Sequence, residues 1–114
     1  MTKYVKVYLD DERTAPEGWA QTFTPHQTIS ILSSGVVSYL SLDHDLGDDE
    51  KIGTGYDVLT WLEMKVFTDR YFIPPKTITV HSANVSARLK MEQAIASIKA
   101  QNAKNIAWVR EANP

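Results

Sequence analysis

The segment Ser38–Leu62 constrains the fold more strongly than any other part of the sequence. It begins within an apolar run, Val36–Leu42, which is typical of a buried strand and ends abruptly at Asp43, His44 and Asp45. A loop rich in glycine and aspartate follows, and then an amphipathic helix begins. Open α/β sheets bind ligands beyond the carboxyl ends of their strands, so these three ionisable residues mark a candidate site. Neighbouring carboxylates repel one another unless a cation or a shared proton relieves them, and such a cost is usually associated with function.

Two other apolar stretches end in polar residues in the same way. Tyr4–Leu9 precedes an acidic run and Thr77–Val80 precedes a histidine, and both are predicted to be strands. Because the carboxyl ends of parallel strands meet at one edge of a sheet, we expect the polar residues after all three strands to converge. The predicted cluster consists of Asp10, Asp11, Asp43, His44, Asp45, His81 and Ser82.

Alternating strand and helix patterns complete a predicted single α/β domain that spans residues 1–114. The remaining predicted elements are a short strand within Trp19–Thr24, a helix at Pro25–Ser34, a helix from Gly55 or Tyr56 to about Phe67, a helix at Val85–Gln101 and a fifth strand at Asn105–Val109. The residues of the long helix that are expected to face the core are Leu89, Met91, Ile95 and Ile98. This order favours a parallel sheet with helices on its faces, which is a three-layer architecture.

The composition narrows the classes of function. A net charge of −2 provides no basic field for long nucleic acid, although it is compatible with a small anionic ligand. The absence of cysteine excludes disulfides and thiolate metal sites. The sequence shows neither an apolar run of membrane-spanning length nor a signal-peptide pattern, so we expect a cytoplasmic protein without a membrane partner.

The ordered motifs resemble the receiver domain of two-component signalling. Asp10-Asp11 matches its acidic pair, Asp43 its phosphorylated aspartate, and Ser82-Ala83 the residues after its fourth strand. The resemblance implies a flavodoxin-like, five-stranded sheet in the order 2-1-3-4-5, with the first helix reduced to a loop. The lysine that receivers carry after the fifth strand is absent, since Arg110 and Glu111 follow that predicted strand here.

The chain is more closely similar to the cyclic-phosphate processing receiver-like domains, which are often found in bacterial and phage proteins. The three ordered signatures that carry this similarity are Leu9–Arg13 with Pro16 and Gly18-Trp19, Ser41–Gly47 with Thr54–Asp57, and Val80–Asn84 followed by Arg88 and Met91. The resemblance implies metal-dependent or His/Asp-dependent processing of a cyclic phosphate or a nucleotide phosphodiester.

A phosphodiester is hydrolysed when its charge is neutralised, a nucleophile is aligned and the leaving oxygen receives a proton. Imidazoles exchange protons near neutral pH, so the two histidines of the cluster are the candidate base and acid, with Asp45 orienting one of them. The predicted catalytic residues are His44, His81, Asp43 and Asp45. The predicted ligands of a divalent cation, Mg²⁺ or Mn²⁺, are the carboxylates of Asp10, Asp11 and Asp43.

Basic and polar residues near the predicted cluster are candidates for holding the substrate. A guanidinium binds phosphate oxygens through two parallel hydrogen bonds, and a hydroxyl group or a helix N-terminus adds further donors. The predicted substrate-binding residues are Arg13, Ser82, Asn84 and Arg88. The predicted partner is a small phosphorylated ligand, with cyclic nucleotides among the candidates.

These features together favour a phosphodiesterase that acts on a cyclic phosphate or cyclic nucleotide. Two alternatives remain open at this point. One is a module without catalysis that binds a nucleotide signal or a protein partner. The other is a phosphoacceptor in which Asp43 is phosphorylated and nothing is hydrolysed, although the missing lysine and the two histidines fit it poorly.

Overall fold

The computed structural model of the chain describes residues 5–112. Within this range four parallel strands form one sheet in the order β2-β1-β3-β4. The strands are β1 (Val5–Leu9), β2 (Ala20–Thr22), β3 (Val37–Leu42) and β4 (Thr77–Val80). The helices are α1 (Pro25–Leu32), α2 (Asp49–Ile52), α3 (Gly55–Thr68) and α4 (Val85–Ala112).

The predicted strands and helices up to residue 80 are confirmed, with small shifts at their ends. Tyr4, which was included in the first predicted strand, lies outside the described residues. The connection between β1 and β2 contains no helix, as predicted. The loop after β3 contains the short helix α2, whose first turn is stabilised because the carboxylate of Asp48 accepts the N–H of Glu50 at 3.0 Å.

The register of the sheet places the ends of three strands side by side. Leu9 of β1 pairs with Leu42 of β3, which pairs in turn with the last residue of β4. The backbone hydrogen bonds continue one residue further, because the N–H of Asp43 donates to Leu9 and the N–H of His81 donates to Leu42, each at 3.0 Å. Asp10, Asp43 and His81 therefore leave the sheet at the same edge, as the sequence predicted.

The helices α1, α3 and α4 pack on one face of the sheet and enclose a hydrophobic core. The connections through α1 and α3 run in the same direction across the sheet, so right-handed crossovers place both helices on the same face. α4 packs against α3 and β4. The loop between β1 and β2 supplies no helix for the opposite face. Within residues 5–112 the domain therefore has two layers, and the predicted third layer is wrong for this part of the chain.

The predicted fifth strand is also wrong, because residues 105–109 lie within α4. Neither glycine nor proline occurs between Val85 and Ala112, so nothing in the sequence ends the helix near Gln101, where the prediction ended it. The apolar residues that suggested a strand extend the helix instead. No helix within residues 5–112 is both long enough and apolar enough to span a membrane.

The predicted core face of α4 is confirmed at three positions and wrong at one. Met91, Ile95 and Ile98 are buried, whereas Leu89 exposes 59% of its surface. Leu89 lies two residues before Met91, which corresponds to about 200° around the helix axis. The two side chains therefore point in nearly opposite directions, and only the face of Met91 meets the core.

A buried amide joins the extended part of α4 to the end of α3. The Nδ2 of Asn105 donates to the carbonyl oxygen of Val66 at 2.8 Å, and its Oδ1 accepts from Gln101 Nε2 at 3.0 Å. Carbonyl groups in the last turn of a helix lack partners within the helix, so Asn105 satisfies one of them for α3. This bond fixes α4 along α3 over the segment that was predicted to be a strand.

We expect Asn105→Ala to lower the free energy of unfolding by about 1–3 kcal/mol, because it leaves the buried carbonyl of Val66 without its partner. Urea unfolding followed by circular dichroism measures the change. Gln93→Ala, at an exposed position of the same helix, is the matched control and should change stability by less than about 0.5 kcal/mol. Equal stability of the Asn105→Ala variant and the unchanged protein would contradict this role.

Candidate functional site

Three aspartates form an acidic cluster at the carboxyl edge of the sheet. Carboxylate oxygens of Asp10, Asp11 and Asp43 all lie within 4.8 Å of one another. Asp10 is buried, Asp43 is partly buried and Asp11 is exposed. The cluster therefore opens to solvent on one side and is anchored in the protein on the other, and its negative charges attract a cation.

Asp10 is the anchored member of the acidic cluster. Its Oδ1 accepts the backbone N–H groups of Glu12 and Arg13 at 2.8 and 2.9 Å, and its Oδ2 lies 3.0 Å from Nε2 of His81. Burial on its own raises the pKa of Asp10, but the two backbone hydrogen bonds and the contact with His81 outweigh it and leave the pKa below its ordinary value. Asp10 is thus held in its ionised form.

His81 is fixed on every side. Its Nε2 donates to the carboxylate of Asp10, and in the neutral imidazole its Nδ1 accepts from the hydroxyl of Ser41 at 2.7 Å. Its ring stacks on Tyr8 with the ring centroids 4.2 Å apart, and Nη1 of Arg13 donates to its backbone carbonyl at 2.6 Å. Since both ring nitrogens have partners, His81 orients Asp10 and has no nitrogen directed at a ligand.

His44 has the opposite environment. Its Nδ1 lies 2.8 Å from Oδ1 of Asp45, and its backbone N–H donates to Oδ1 of Asp43 at 2.8 Å. Its Nε2 makes no hydrogen bond within the part of the chain that the structure describes, and its side chain is 19% exposed. Asp45 therefore orients the ring and leaves Nε2 available to a ligand.

The loop that carries His44 is held against the start of α3 by a close backbone approach. The N–H of Gly55 donates to the carbonyl of His44 at 3.1 Å, and a Cβ at this position would clash with the backbone carbonyl of Asp43. Only glycine allows this approach. The carboxylate of Asp57 accepts the N–H of Thr54 at 2.9 Å and stabilises the same helix start.

Two clefts flank the pair formed by His44 and Asp45. The acidic cleft has a volume of about 370 Å³ and is lined by Asp11, Glu12, Arg13, Asp43, Asp45, Gly47 and Ala83. The second one, which we call the α3–α4 cleft, has a volume of about 330 Å³ and is lined by His44, Thr54, Tyr56, Asn84, Ser86, Ala87 and Lys90. Larger clefts of about 450 and 430 Å³ lie elsewhere, beside β4 and beside the end of α3, and none of the predicted site residues lines them.

The predicted substrate-binding residues take different positions. Ser82 is buried, and its Oγ accepts the N–H of Asn84 at 3.1 Å, while Oδ1 of Asn84 accepts the N–H of Ala87 at 3.1 Å. These two side chains stabilise the start of α4. Arg13 lines the acidic cleft. Arg88 lines neither cleft of the site, and its Nε lies 3.7 Å from Oε1 of Glu92 on the exposed surface.

Sequence reasoning gave no role to several residues that shape the site. Ser41 lies between the buried Leu40 and Leu42 of β3, and this alternation was a signal that its hydroxyl lies on the other face of the sheet. Tyr56 and Lys90 line the α3–α4 cleft, and their places depend on how α3 and α4 pack. Tyr56 belongs to the motif Thr54–Asp57, but no local sequence pattern indicated that it or Lys90 lines a cleft.

The different environments of Asp10 and Asp43 predict opposite effects of removing each charge. In metal-free protein at pH 7 we expect Asp10→Asn to lower the free energy of unfolding by about 1–3 kcal/mol, because Asp10 accepts three hydrogen bonds. Asp43→Asn keeps an acceptor for His44 and removes repulsion, so it should leave stability equal or slightly higher. Urea unfolding in EDTA measures both, and a larger loss in Asp43→Asn would contradict the assignment.

The same pair of variants has a predicted pH dependence. Because the folded protein lowers the pKa of Asp10, its ionised form contributes stability above about pH 4, the ordinary range of an aspartate. That contribution is lost as the pH falls through the lower folded-state pKa. The free energy of unfolding of Asp10→Asn should therefore approach that of the unchanged protein as the pH is lowered from 5 to 2. A difference that stays constant over this range would contradict the lowered pKa of Asp10.

Comparison with known proteins agrees with the geometry. The family model described as the cyclic-phosphate processing receiver domain matches residues 5–97, which contain the whole sheet, the acidic cluster and both clefts. No curated protein and no solved structure matches the chain. The match covers most of the sequence, and the ends of the parallel strands bring the ordered motifs together. The chain therefore belongs to the family of cyclic-phosphate processing receiver domains.

Proposed function

We propose that the protein is a phosphodiesterase that opens a cyclic phosphate by adding water across one P–O bond. The observation that carries the proposal is the juxtaposition of an acidic cluster with a histidine whose Nδ1 is held by a carboxylate and whose Nε2 is open. The family match supports the class of ligand. Neither a cluster of carboxylates nor a histidine alone would suggest this reaction, since hydrolysis of a phosphodiester needs both charge neutralisation and proton transfer.

The acidic cluster fits a divalent metal ion such as Mg²⁺ or Mn²⁺, which prefers oxygen ligands. Oδ1 of Asp10 already accepts two hydrogen bonds, so only its Oδ2 has remaining capacity. Oδ2 of Asp43 has no hydrogen bond within the described residues, and Asp11 is exposed. Asp11 and Asp43 would therefore be the principal ligands, with Asp10 completing the set. A bound cation would neutralise negative charge on the carboxylates and on the phosphate oxygens.

In the proposed reaction His44 moves the protons. The oxygen of a water molecule forms a bond to phosphorus, the bond from phosphorus to one ring oxygen breaks, and that oxygen takes the proton from Nε2 of His44. The water oxygen now bound to phosphorus still carries two protons; it gives one to Nε2 of His44 and keeps the other. The histidine is thereby regenerated, and the product is a phosphate monoester. Asp45 keeps the ring of His44 oriented, with Nε2 directed away from Asp45.

The remaining residues position this machinery. Ser41 and Tyr8 hold the ring of His81, and His81 in turn orients the carboxylate of Asp10. Arg13 donates a hydrogen bond to the carbonyl of His81. In this proposal His81 acts through Asp10 and does not exchange protons with the substrate. The proton-transfer role predicted from the sequence for both histidines is thereby assigned to His44 alone.

We expect Mg²⁺ or Mn²⁺ to raise the stability of the protein, by about 2.7 kcal/mol at a metal concentration 100 times the dissociation constant. Thermal unfolding with and without EDTA measures the effect. Asp43→Asn should abolish most of it, whereas Asp49→Asn, which removes the same charge from an exposed position of the neighbouring loop, should retain it. An equal metal effect in both variants would place the ion elsewhere.

For hydrolysis, we expect turnover of at least one member of a panel of 2′,3′- and 3′,5′-cyclic mononucleotides in the presence of Mn²⁺. His44→Ala should lower kcat by about 10²- to 10⁴-fold, because it removes the proton donor. His26→Ala is the matched control, since His26 is exposed on α1, and it should leave kcat unchanged. Product formation is followed by chromatography of the phosphate monoester.

Two other results would contradict the proposal in different ways. Tight binding of an intact cyclic nucleotide without turnover would identify a module that sequesters its ligand. A gain of about 80 mass units after treatment with acetyl phosphate, lost in Asp43→Asn, would identify a phosphoacceptor.

A further inference from the structure

We propose that the α3–α4 cleft binds the nucleoside part of the ligand, so that the natural substrate is a nucleotide and not a small cyclic phosphate without a base. This inference rests on the proposed function, because it extends the same site beyond the phosphate. It assigns a binding role to Thr54, Tyr56, Ser86 and Lys90, none of which was predicted from the sequence to bind a ligand.

The position of His44 connects the two clefts. His44 lines the α3–α4 cleft, whereas Asp45, which holds its Nδ1, lines the acidic cleft. If a phosphate is held at the acidic cluster and His44 gives a proton to its leaving oxygen, that oxygen lies on the side of the α3–α4 cleft. Whatever that oxygen is attached to, which in a nucleotide is the ribose, extends into this cleft.

The chemistry of the α3–α4 cleft fits a nucleobase and its sugar. Tyr56 in the first turn of α3 exposes 37% of its surface, and an exposed aromatic ring is a stacking platform for any base. On the facing side, Ser86 and Lys90 are exposed and lie one helical turn apart on α4. Nδ2 of Asn84 has no hydrogen-bond partner within residues 5–112, so it is available to an acceptor on the ligand.

The size and charge of the cleft agree with this assignment. Its volume of about 330 Å³ is at the lower end of the range of about 300–1,000 Å³ for small-molecule sites, which suits one nucleoside. Lys90 forms no ion pair with any described residue, in contrast to Arg88, which lies near Glu92 on another side of α4. Lys90 thus places one positive charge in the α3–α4 cleft, next to the acidic cleft.

The test compares a nucleotide with a ligand that has the same reactive group and no base. Isothermal titration calorimetry and steady-state kinetics would use 2′,3′- and 3′,5′-cyclic mononucleotides of the four bases, and glycerol 1,2-cyclic phosphate as the baseless probe. We expect Tyr56→Leu to weaken nucleotide binding by about 5- to 100-fold, as the loss of one stacking contact implies. Tyr56→Phe should retain binding, and Lys90→Gln should weaken it by about 2- to 5-fold.

Neither Tyr56→Leu nor Lys90→Gln should change the binding or turnover of glycerol 1,2-cyclic phosphate. The matched controls are Tyr71→Leu and Lys104→Gln, which make the same changes at exposed positions outside the site. Both controls should bind nucleotides as the unchanged protein does. Circular dichroism and thermal unfolding establish that each variant is folded before its binding is compared.

The outcomes separate this inference from the proposed function. Turnover of both kinds of ligand with equal kcat/KM, unaffected by Tyr56→Leu, would overturn the nucleoside site and leave the phosphodiesterase intact. Nucleotide binding that depends on Tyr56 without any turnover would support the site and overturn the hydrolase. Failure of every nucleotide in the panel to bind would overturn the inference.

Discussion

The site depends on the hydrogen bond between Asp10 and His81, which joins the ends of two strands that are not neighbours in the sheet. β3 lies between β1 and β4, and its Ser41 holds the other nitrogen of the same imidazole. The ring of His81 thus spans the edge of the sheet and rests on Tyr8. The backbone N–H groups of Arg13 and Glu12, together with the contact with His81, keep the buried carboxylate of Asp10 ionised. The position of the acidic cluster therefore follows from the packing of three strands.

The two histidines of the site differ in how many of their ring nitrogens have hydrogen-bond partners. His81 has partners at both nitrogens, and its role is to position Asp10. His44 has one partner, Asp45, and keeps one nitrogen open beside a cleft. The close approach of Gly55 to the backbone of Asp43 fixes the loop that carries His44. The acidic edge therefore combines one rigid carboxylate with a histidine that has one ring nitrogen without a partner among the described residues.

Much of this arrangement followed from local patterns in the sequence. Apolar runs that end in acids or histidine identify strand ends, and the rule that parallel strands share one carboxyl edge brings Asp10, Asp43 and His81 together. The predictions that proved wrong concern features that depend on packing between elements distant in the sequence. The predicted fifth strand is part of α4, which contains neither glycine nor proline. Asn105 anchors this part of α4 to α3 through a partner 39 residues away. The same packing decides that Lys90, and not Arg88, faces the site.

The central claim is that three strand ends form one site for a divalent cation next to His44. Titration of isotopically labelled protein with substoichiometric Mn²⁺, observed by two-dimensional NMR, tests it directly, because the paramagnetic ion broadens only nearby amide signals. The account predicts that signals of residues 10–13, 43–47 and 81–83 broaden together and first. Broadening centred on the exposed acids at 48–50, or spread evenly over the surface, would contradict it.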